Sequence, residues 1–164
     1  STIGLDSYPK SRVVLLKKYT YEGFIFYTNY TSEKGKAITA NPNVCLSFFW
    51  HGAERQIIIK GKAEKIIENL SDGYFESRPR GSQLSAIVSN QSQAIESRES
   101  LEKKLADLEQ RFEGKEIPRP DFWGGYIVKP VEIEFWQGRA NRLHDRIHYK
   151  LDESFFWIKT RLSP

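Results

Sequence analysis

The sequence predicts an α+β fold in which a mostly antiparallel sheet forms a partly open barrel with helices packed at its flank. Short runs rich in β-branched and aromatic residues lie between residues 12 and 63, and similar runs return after Pro118 and Pro120. Between them lies a stretch with helical periodicity. The chain has 164 residues and no internal repeat, so we expect residues 1–164 to form one domain.

Four β runs make up the first part of the chain. They are Arg12–Lys17, Gly23–Thr28, Val44–Trp50 and Gln56–Ala63. Turn signals at residues 21–23, 41–43 and 51–53 separate strands, and residues 31–40 are polar and small enough for a short helix or a loop. This order predicts an antiparallel meander or barrel.

The middle of the chain is predicted to be helical. An apolar stripe at steps of four, three and four residues consists of Leu101, Leu105, Leu108 and Phe112. Ser97 is a suitable N-cap and Gly114 a suitable end. Two shorter helical stretches, Leu70–Ser77 and Ser82–Ser89, precede it. We interpret the long helix as scaffold or subunit contact.

Four β runs follow the two prolines. They are Trp123–Val128, Val131–Gln137, Asp145–Tyr149 and Phe155–Thr160. The second alternates cleanly between apolar and polar residues, which is typical of a half-buried strand.

Composition excludes several classes of protein. Cys45 is the only cysteine, which excludes an intramolecular disulfide and a site of several thiolates. With only three histidines, we do not expect a His-rich metal site. We expect no metal and a reducing, cytoplasmic setting. No apolar run approaches the ~20 residues that span a bilayer, so we expect no membrane partner. The sequence contains no P-loop, no G-x-G-x-x-G after a strand, no H-E-x-x-H and no G-x-S-x-G.

The charge and the aromatic content leave two interpretations open. Lys and Arg number 25 against 21 Asp and Glu, and 13% of residues are aromatic. A basic, aromatic-rich domain can hold phosphates, flat rings or both. A net charge of +4 is equally explained by solubility.

One candidate cluster lies near the C-terminus. If residues 142–146 are extended, Arg142, His144 and Arg146 share one face of a strand, where they would hold an anion or a polar ligand. A surface strand with solvated charges explains the same pattern.

Two further clusters carry cations. Tyr74, Arg78 and Ser82 lie at four-residue steps and share one side if the helix continues through Arg78, an arrangement that suits a phosphate monoester. The same residues also fit a simple helix end before a loop. Arg12 and Lys17 flank an apolar run, as the solvent-facing ends of a buried strand usually do.

Nine motifs in the same order resemble the pyridoxamine 5′-phosphate oxidase family. They are RVVLLK (12–17), FYTN (26–29), ERQ (54–56), YFxSRPxxSQ (74–83), SxQS (89–92), WGG (123–125), EFWQG (134–138), RLHDR (142–146) and the terminal RLSP (161–164). The resemblance covers nearly the whole chain.

The resemblance implies an FMN-binding split β-barrel and a homodimer with FMN in clefts at the subunit interface. It implies oxidation of pyridoxine or pyridoxamine 5′-phosphate to pyridoxal 5′-phosphate, with oxygen as acceptor and hydrogen peroxide as product. The implied FMN contacts are Arg12, Val13, Val14, Leu15, Leu16, Lys17, Tyr27, Thr28, Lys34, Gln56, Gln91, Ser92, Trp136 and Arg146. The implied substrate contacts are Lys17, Tyr74, Arg78 and Ser82 around the phosphate, with Arg142 and His144, the implied catalytic pair, near the pyridine ring.

Three departures from the family pattern stand out. Glu33 replaces an Arg that helps to hold the FMN phosphate, so we expect weaker FMN binding or a substitution by Lys36. Ser85 stands where the family commonly has Gly, and we expect a helix to tolerate this change. The chain starts shortly before Arg12, so we expect that the family's N-terminal segment is missing.

Two alternatives to the enzyme remain. One is a flavin- or pyridoxal-phosphate-binding split-barrel protein without oxidase activity. The other is an OB-like protein that binds single-stranded nucleic acid through aromatic and basic residues. Against the second, the aromatic residues lie mostly at core spacing inside the predicted strands, so we expect no nucleic-acid partner.

Overall fold

The computed structural model describes residues 1–164 and contains nine strands and four α-helices. The strands are β1 Thr2–Ile3, β2 Pro9–Lys10, β3 Lys18–Tyr19, β4 Phe24–Asn29, β5 Asn43–Trp50, β6 Arg55–Lys65, β7 Trp123–Gln137, β8 Asp145–Leu151 and β9 Trp157–Leu162. The helices are α1 Glu33–Ala40, α2 Glu68–Glu76, α3 Arg80–Val88 and α4 Arg98–Arg111. Two 3₁₀ turns, His51–Ala53 and Ala140–Arg142, connect strands.

All nine strands belong to one sheet that is not closed. The order is β2-β1-β5-β6-β7-β4-β3, and β8 pairs with both β7 and β9. Every pairing is antiparallel. The predicted α+β class with a mostly antiparallel, partly open sheet is therefore confirmed.

The long strand β7 organises the sheet. Its first half pairs with β4, its second half pairs with β8, and β6 pairs along nearly all of it. Two predicted runs, 123–128 and 131–137, form this one strand. Pro130 can stand inside it because it lies opposite Gly61, where the register with β6 shifts in a bulge.

Two apolar cores hold the helices on the sheet. The first combines β4, α1, β6 and β7 and contains Phe26, Ile38, Ala63, Tyr126 and Val128. The second combines α2, α3 and the start of β7 and contains Phe75, Leu84, Ile117 and Trp123. The predicted stripe of α4 packs against this second core through Leu105, Leu108 and Phe112. Each fully buried large side chain contributes about 1.5–3 kcal/mol.

The prediction of a strand at Arg12–Lys17 is wrong. The segment has no strand hydrogen-bond ladder, and its one bond to β4 is from the Lys17 amide to the Ile25 carbonyl, at 2.9 Å. Val13 is 93% exposed and Leu15 is 65% exposed. The β-branched composition predicted an extended backbone, but no neighbouring strand of this chain pairs with it.

No helix of the protein is long and apolar enough to cross a membrane.

Candidate active site

Three aromatic rings from three separate elements stack into one wall. The Tyr27 ring of β4 lies 3.9 Å from the Tyr74 ring of α2 and 5.5 Å from the Trp123 ring of β7, centroid to centroid. The interplanar angles are 19° and 12°. Gly125 pairs with Tyr27 across the sheet, and a Cβ there would lie 2.9 Å from the tyrosine ring. The glycine therefore makes room for the Tyr27 ring and for the Ile66 side chain, which would lie closer still to that Cβ.

Two cations lie at the aromatic wall. The Lys17 amine is 5.9 Å from the centroid of the Tyr74 ring, and the Arg78 guanidinium is 4.7 Å from the centroid of the Trp123 ring. Nη1 of Arg78 is buried without any hydrogen-bond partner, and burial lowers the pKa of Arg78. A buried, unpartnered guanidinium donor requires an acceptor, and a phosphate oxygen fits it.

A third cation is buried next to this wall. The Lys34 amine donates to the Thr28 hydroxyl at 3.0 Å and to the Gln91 side-chain oxygen at 2.7 Å, and no carboxylate pairs with it. Burial lowers the pKa of Lys34; the charge of Arg12 lowers it further, while that of Glu33 raises it. Such an amine, with a third proton free, suits an anionic ligand.

A cavity of about 300 Å³ joins the wall to the buried amine. Seven of the predicted residues line it, namely Val13, Val14, Tyr27, Thr28, Lys34, Arg78 and Gln91. Five lining residues were not predicted as site residues: Asn29, Ser85, Ala86, Ser89 and Trp123. Three motifs of the sequence contain lining residues that were not predicted: FYTN contains Asn29, SxQS contains Ser89 and WGG contains Trp123.

An apolar cavity of about 210 Å³ lies beside the first one. The segment after Arg12 forms one side of it through Val13, Val14 and Leu16, and Phe26 and Phe48 belong to its lining. Apolar side chains next to a buried amine fit the flat ring and the phosphate of a flavin mononucleotide. The residues present therefore fit FMN, which Arg12, Lys34 and Thr28 would hold at its phosphate end.

The other predicted contacts form a separate group on three neighbouring strands. Gln56 of β6 pairs with Trp136 of β7, and Trp136 pairs with Arg146 of β8. Arg146 donates to both carboxylate oxygens of Glu134, at 2.7 and 3.0 Å. This ion pair raises the pKa of Arg146 and lowers that of Glu134. The His144 ring lies 4.8 Å from the Trp136 ring.

The two groups lie near opposite ends of β7. Trp123 begins the strand and Trp136 lies next to its end, which places them about 40 Å apart along an extended chain. Within one chain, the structure does not bring the Gln56–Trp136–Arg146 group to the aromatic wall.

Two local predictions about these clusters are wrong. Residues 142–146 are not extended throughout, because Ala140–Arg142 is a 3₁₀ turn in which Asn141 and Arg142 have φ of 56° and 60°, and the strand begins only at Asp145. Arg142, His144 and Arg146 therefore do not share a strand face. The helix of Tyr74 ends at Glu76, before Arg78, because Pro79 follows and disfavours helical backbone before it. Ser82 lies in α3 and does not line the cavity.

The remaining predicted residues lie at the edges of the site. Ser92 and the departures Glu33 and Lys36 line a polar cavity of about 330 Å³, and Gln91 lines both this cavity and the one beside the aromatic wall. Leu15 is exposed in the segment between Arg12 and Lys17. Arg142 is exposed in its 3₁₀ turn.

Comparisons with known proteins identify the family. A model described as pyridoxamine 5′-phosphate oxidase matches residues 1–112. A second, described as pyridoxine 5′-phosphate oxidase C-terminal dimerisation region, matches residues 123–164. The chain belongs to the pyridoxamine 5′-phosphate oxidase family. Membership confirms the resemblance stated from the motifs.

Curated relatives match over nearly the full chain. A pyridoxine/pyridoxamine 5′-phosphate oxidase of Flavobacterium psychrophilum is 71% identical over 164 residues, which are 100% of this chain and 77% of the relative. One of Flavobacterium johnsoniae is 68% identical over 163 residues, 99% of this chain and 76% of the relative.

Solved structures confirm the architecture. One is PhzG from Burkholderia lata 383, solved in complex with tetrahydrophenazine-1-carboxylic acid. It superimposes with a TM-score of 0.92 at 32% sequence identity, and the match covers 99% of this chain and 79% of the PhzG chain. A pyridoxamine 5′-phosphate oxidase-related, FMN binding protein from Nostoc punctiforme has a TM-score of 0.80 at 13% identity, covering 99% and 85%, and shows the fold alone. The split-barrel prediction is confirmed.

Family membership also confirms three broader expectations. The protein is an FMN-dependent oxidoreductase, its cofactor is FMN, and the C-terminal region is the one through which the family dimerises. That region contains β7, β8 and β9.

Proposed function

We propose that the protein oxidises pyridoxamine 5′-phosphate or pyridoxine 5′-phosphate to pyridoxal 5′-phosphate, with oxygen as acceptor and hydrogen peroxide as product. The observation that carries this proposal is the unpartnered, buried Nη1 of Arg78 beside the stack of Tyr27, Tyr74 and Trp123. A phosphate monoester on a flat ring supplies both the acceptor and the stacking surface. Lys34 provides a separate cation for the phosphate of FMN.

The chain's own residues bind and orient the reactants in this proposal. Lys17, Tyr74, Arg78 and Ser82 are the proposed partners of the substrate phosphate, while Arg142 and His144 position and polarise the pyridine ring. When bound, FMN would supply the redox chemistry, a two-electron oxidation at C4′ of the substrate with oxygen as the final acceptor. The imine formed from pyridoxamine 5′-phosphate would then take up water and release ammonia to give the aldehyde. No side chain acts as a covalent nucleophile. Holding the two rings in a reactive orientation is the main task of the protein.

We further propose that a second copy of the chain completes each active site. The Gln56–Trp136–Arg146 group lies about 40 Å along β7 from the aromatic wall, so the two groups of one chain serve two different sites. Exposed apolar side chains support this, because Val13, Leu15, Phe49, Trp50 and Phe135 are all more than 40% exposed in the single chain. FMN would then lie in clefts between the subunits.

We also propose the domain organisation and the cellular setting of the protein. Residues 1–164 form one FMN-binding split-barrel domain, which one continuous sheet supports. The setting is cytoplasmic, which the single cysteine of the sequence supports.

The test is to purify the full chain, record its absorbance and supply each substrate with oxygen. We expect flavin bands, formation of pyridoxal 5′-phosphate, and one hydrogen peroxide for each aldehyde formed. Flavin bands without turnover of either substrate would instead indicate a non-catalytic flavin-binding protein. A protein that stays colourless after FMN is added would contradict the proposal altogether.

A further inference from the structure

A single ion pair connects the N-terminal arm to the first helix. The Lys10 amine lies 2.7 Å from each carboxylate oxygen of Glu33, and both side chains are about half exposed. Lys10 ends β2, and Glu33 is the first residue of α1. Glu33 is a carboxylate at a position where the family pattern has an Arg that helps to hold the FMN phosphate.

The pair lies next to the two cations assigned to the phosphate of FMN. The Lys10 carbonyl accepts a hydrogen bond from Nη1 of Arg12 at 2.8 Å, and Lys34 follows Glu33 directly in α1. Glu33 acts electrostatically on this group, since its charge raises the pKa of Lys34 while that of Arg12 lowers it. An unneutralised carboxylate here would therefore repel a phosphate bound by Arg12 and Lys34.

The arm does not depend on this ion pair for its attachment. The Cys45 amide donates to the Ser1 carbonyl at 3.1 Å, and Thr2 of β1 pairs with Val44 of β5. Arg12 also donates to the Thr2 hydroxyl, which ties the arm to the segment that follows it. These bonds remain when the charge of Lys10 is removed, so the contribution specific to Lys10 is electrostatic.

We propose that Lys10 is an electrostatic positioning residue for FMN: it neutralises Glu33, so that Arg12 and Lys34 can bind the cofactor phosphate although a carboxylate stands beside them. The proposal rests on the proposed function, because it takes the phosphate end of FMN to lie at Arg12 and Lys34. It makes Lys10 and Glu33 a compensating pair, in which the loss of one charge is repaired by the loss of the other.

The test measures the dissociation constant of FMN for the full chain, freed of flavin by dialysis, from the quenching of flavin fluorescence. Lys10→Gln should raise the constant about five- to tenfold, because it leaves Glu33 unpaired. Glu33→Gln should lower it about twofold to threefold. The double variant Lys10→Gln/Glu33→Gln should return to within about twofold of the original value. All differences should shrink at high salt.

A matched ion pair elsewhere supplies the control. Lys129 and Glu64 join β7 to β6 at 2.6 Å with similar exposure, and neither lines the cavities beside the aromatic wall. Lys129→Gln should leave the dissociation constant unchanged. A double variant as weak as Lys10→Gln would show that the pair is only a structural link, and an unchanged constant for Lys10→Gln would overturn the proposal. Failure of the unsubstituted chain to bind FMN would instead contradict the proposed function.

Discussion

Tyr27 and Tyr74 lie face to face, with ring centroids 3.9 Å apart, although they belong to a strand and a helix that are distant in the sequence. Burial raises the pKa of Tyr27, and the neighbouring Tyr74 raises it further. The stack fixes the position of the Tyr74 hydroxyl, which is a proposed partner of the substrate phosphate.

Two substitutions of Tyr74 distinguish the effect of ring stacking from the effect of the hydroxyl group. Tyr74→Phe keeps the ring and should raise KM for the substrate about tenfold, with an unchanged free energy of unfolding. Tyr74→Leu also removes the ring stack and should lower the free energy of unfolding by about 1 kcal/mol. Steady-state kinetics and urea titration measure the two effects. An unchanged KM for Tyr74→Phe would exclude the hydroxyl from substrate binding.

Arg78 should determine the preference for a phosphorylated substrate. Arg78→Met removes a donor that has no partner within the protein, so KM for pyridoxine 5′-phosphate should rise about 100-fold. The free energy of unfolding should not fall, because an unpaired buried charge is removed. Arg78→Lys should recover only part of the loss, since an amine lacks the planar fork. Comparison with unphosphorylated pyridoxine, which should respond little, is the control.

Lys34 should make FMN binding depend on pH. Its pKa in the folded protein lies below the ordinary value of 10.5, so the unfolded chain holds more protons between these two values. The free energy of unfolding without FMN should therefore rise with pH in that window. A phosphate favours the charged amine, so FMN affinity should fall as pH rises through the lowered pKa.

Lys34→Met should remove both pH dependences and raise the dissociation constant of FMN about tenfold or more. Urea titration and FMN titration at several alkaline pH values measure them. Lys62→Met, at an exposed position of β6, is the matched control and should change neither. Persistence of the pH dependence in Lys34→Met would assign it to another group.

Arg142 should affect turnover rather than cofactor binding. Its exposed side chain lies in a 3₁₀ turn with left-handed backbone, near the end of β7 that carries Trp136. Arg142→Leu should lower kcat far more than it lowers the FMN content of the purified protein. Equal loss of activity and flavin would show that the residue is merely structural. Absorbance and oxygen consumption on the same sample give the comparison.

Local sequence patterns predicted most of the fold, because capping and periodicity act over a few residues. Ser97 caps α4 by accepting a hydrogen bond from the Ser100 amide at 3.1 Å, and Leu105 and Leu108 face the core. Arg12–Lys17 was mispredicted because β composition does not reveal whether a partner strand exists. The predicted runs 123–128 and 131–137 are separated by residues 129–130, and the bulge at Val131 of β7 lets one strand include them.

Residue spacing alone predicted the arrangement of the site less well than it predicted the fold. Tyr74, Arg78 and Ser82 were grouped by helical steps, yet Pro79 separates the helices that carry Tyr74 and Ser82. The family resemblance identified most of the lining residues. It left out Trp123 as a site residue, because the role of this ring depends on its stacking against residues far away in the sequence.

The length of β7 has a consequence for mixed assemblies. In the proposed dimer, each copy of this strand presents Trp123 to one active site and Trp136 to the other. Homodimers that carry only Arg78→Met or only Arg146→Met should each show little activity at substrate concentrations near the KM of the unsubstituted protein. Co-assembled, they should form one site without either substitution and one with both, so activity would be restored to about half in each mixed dimer. Catalytic competence would thus belong to the pair of chains rather than to either one.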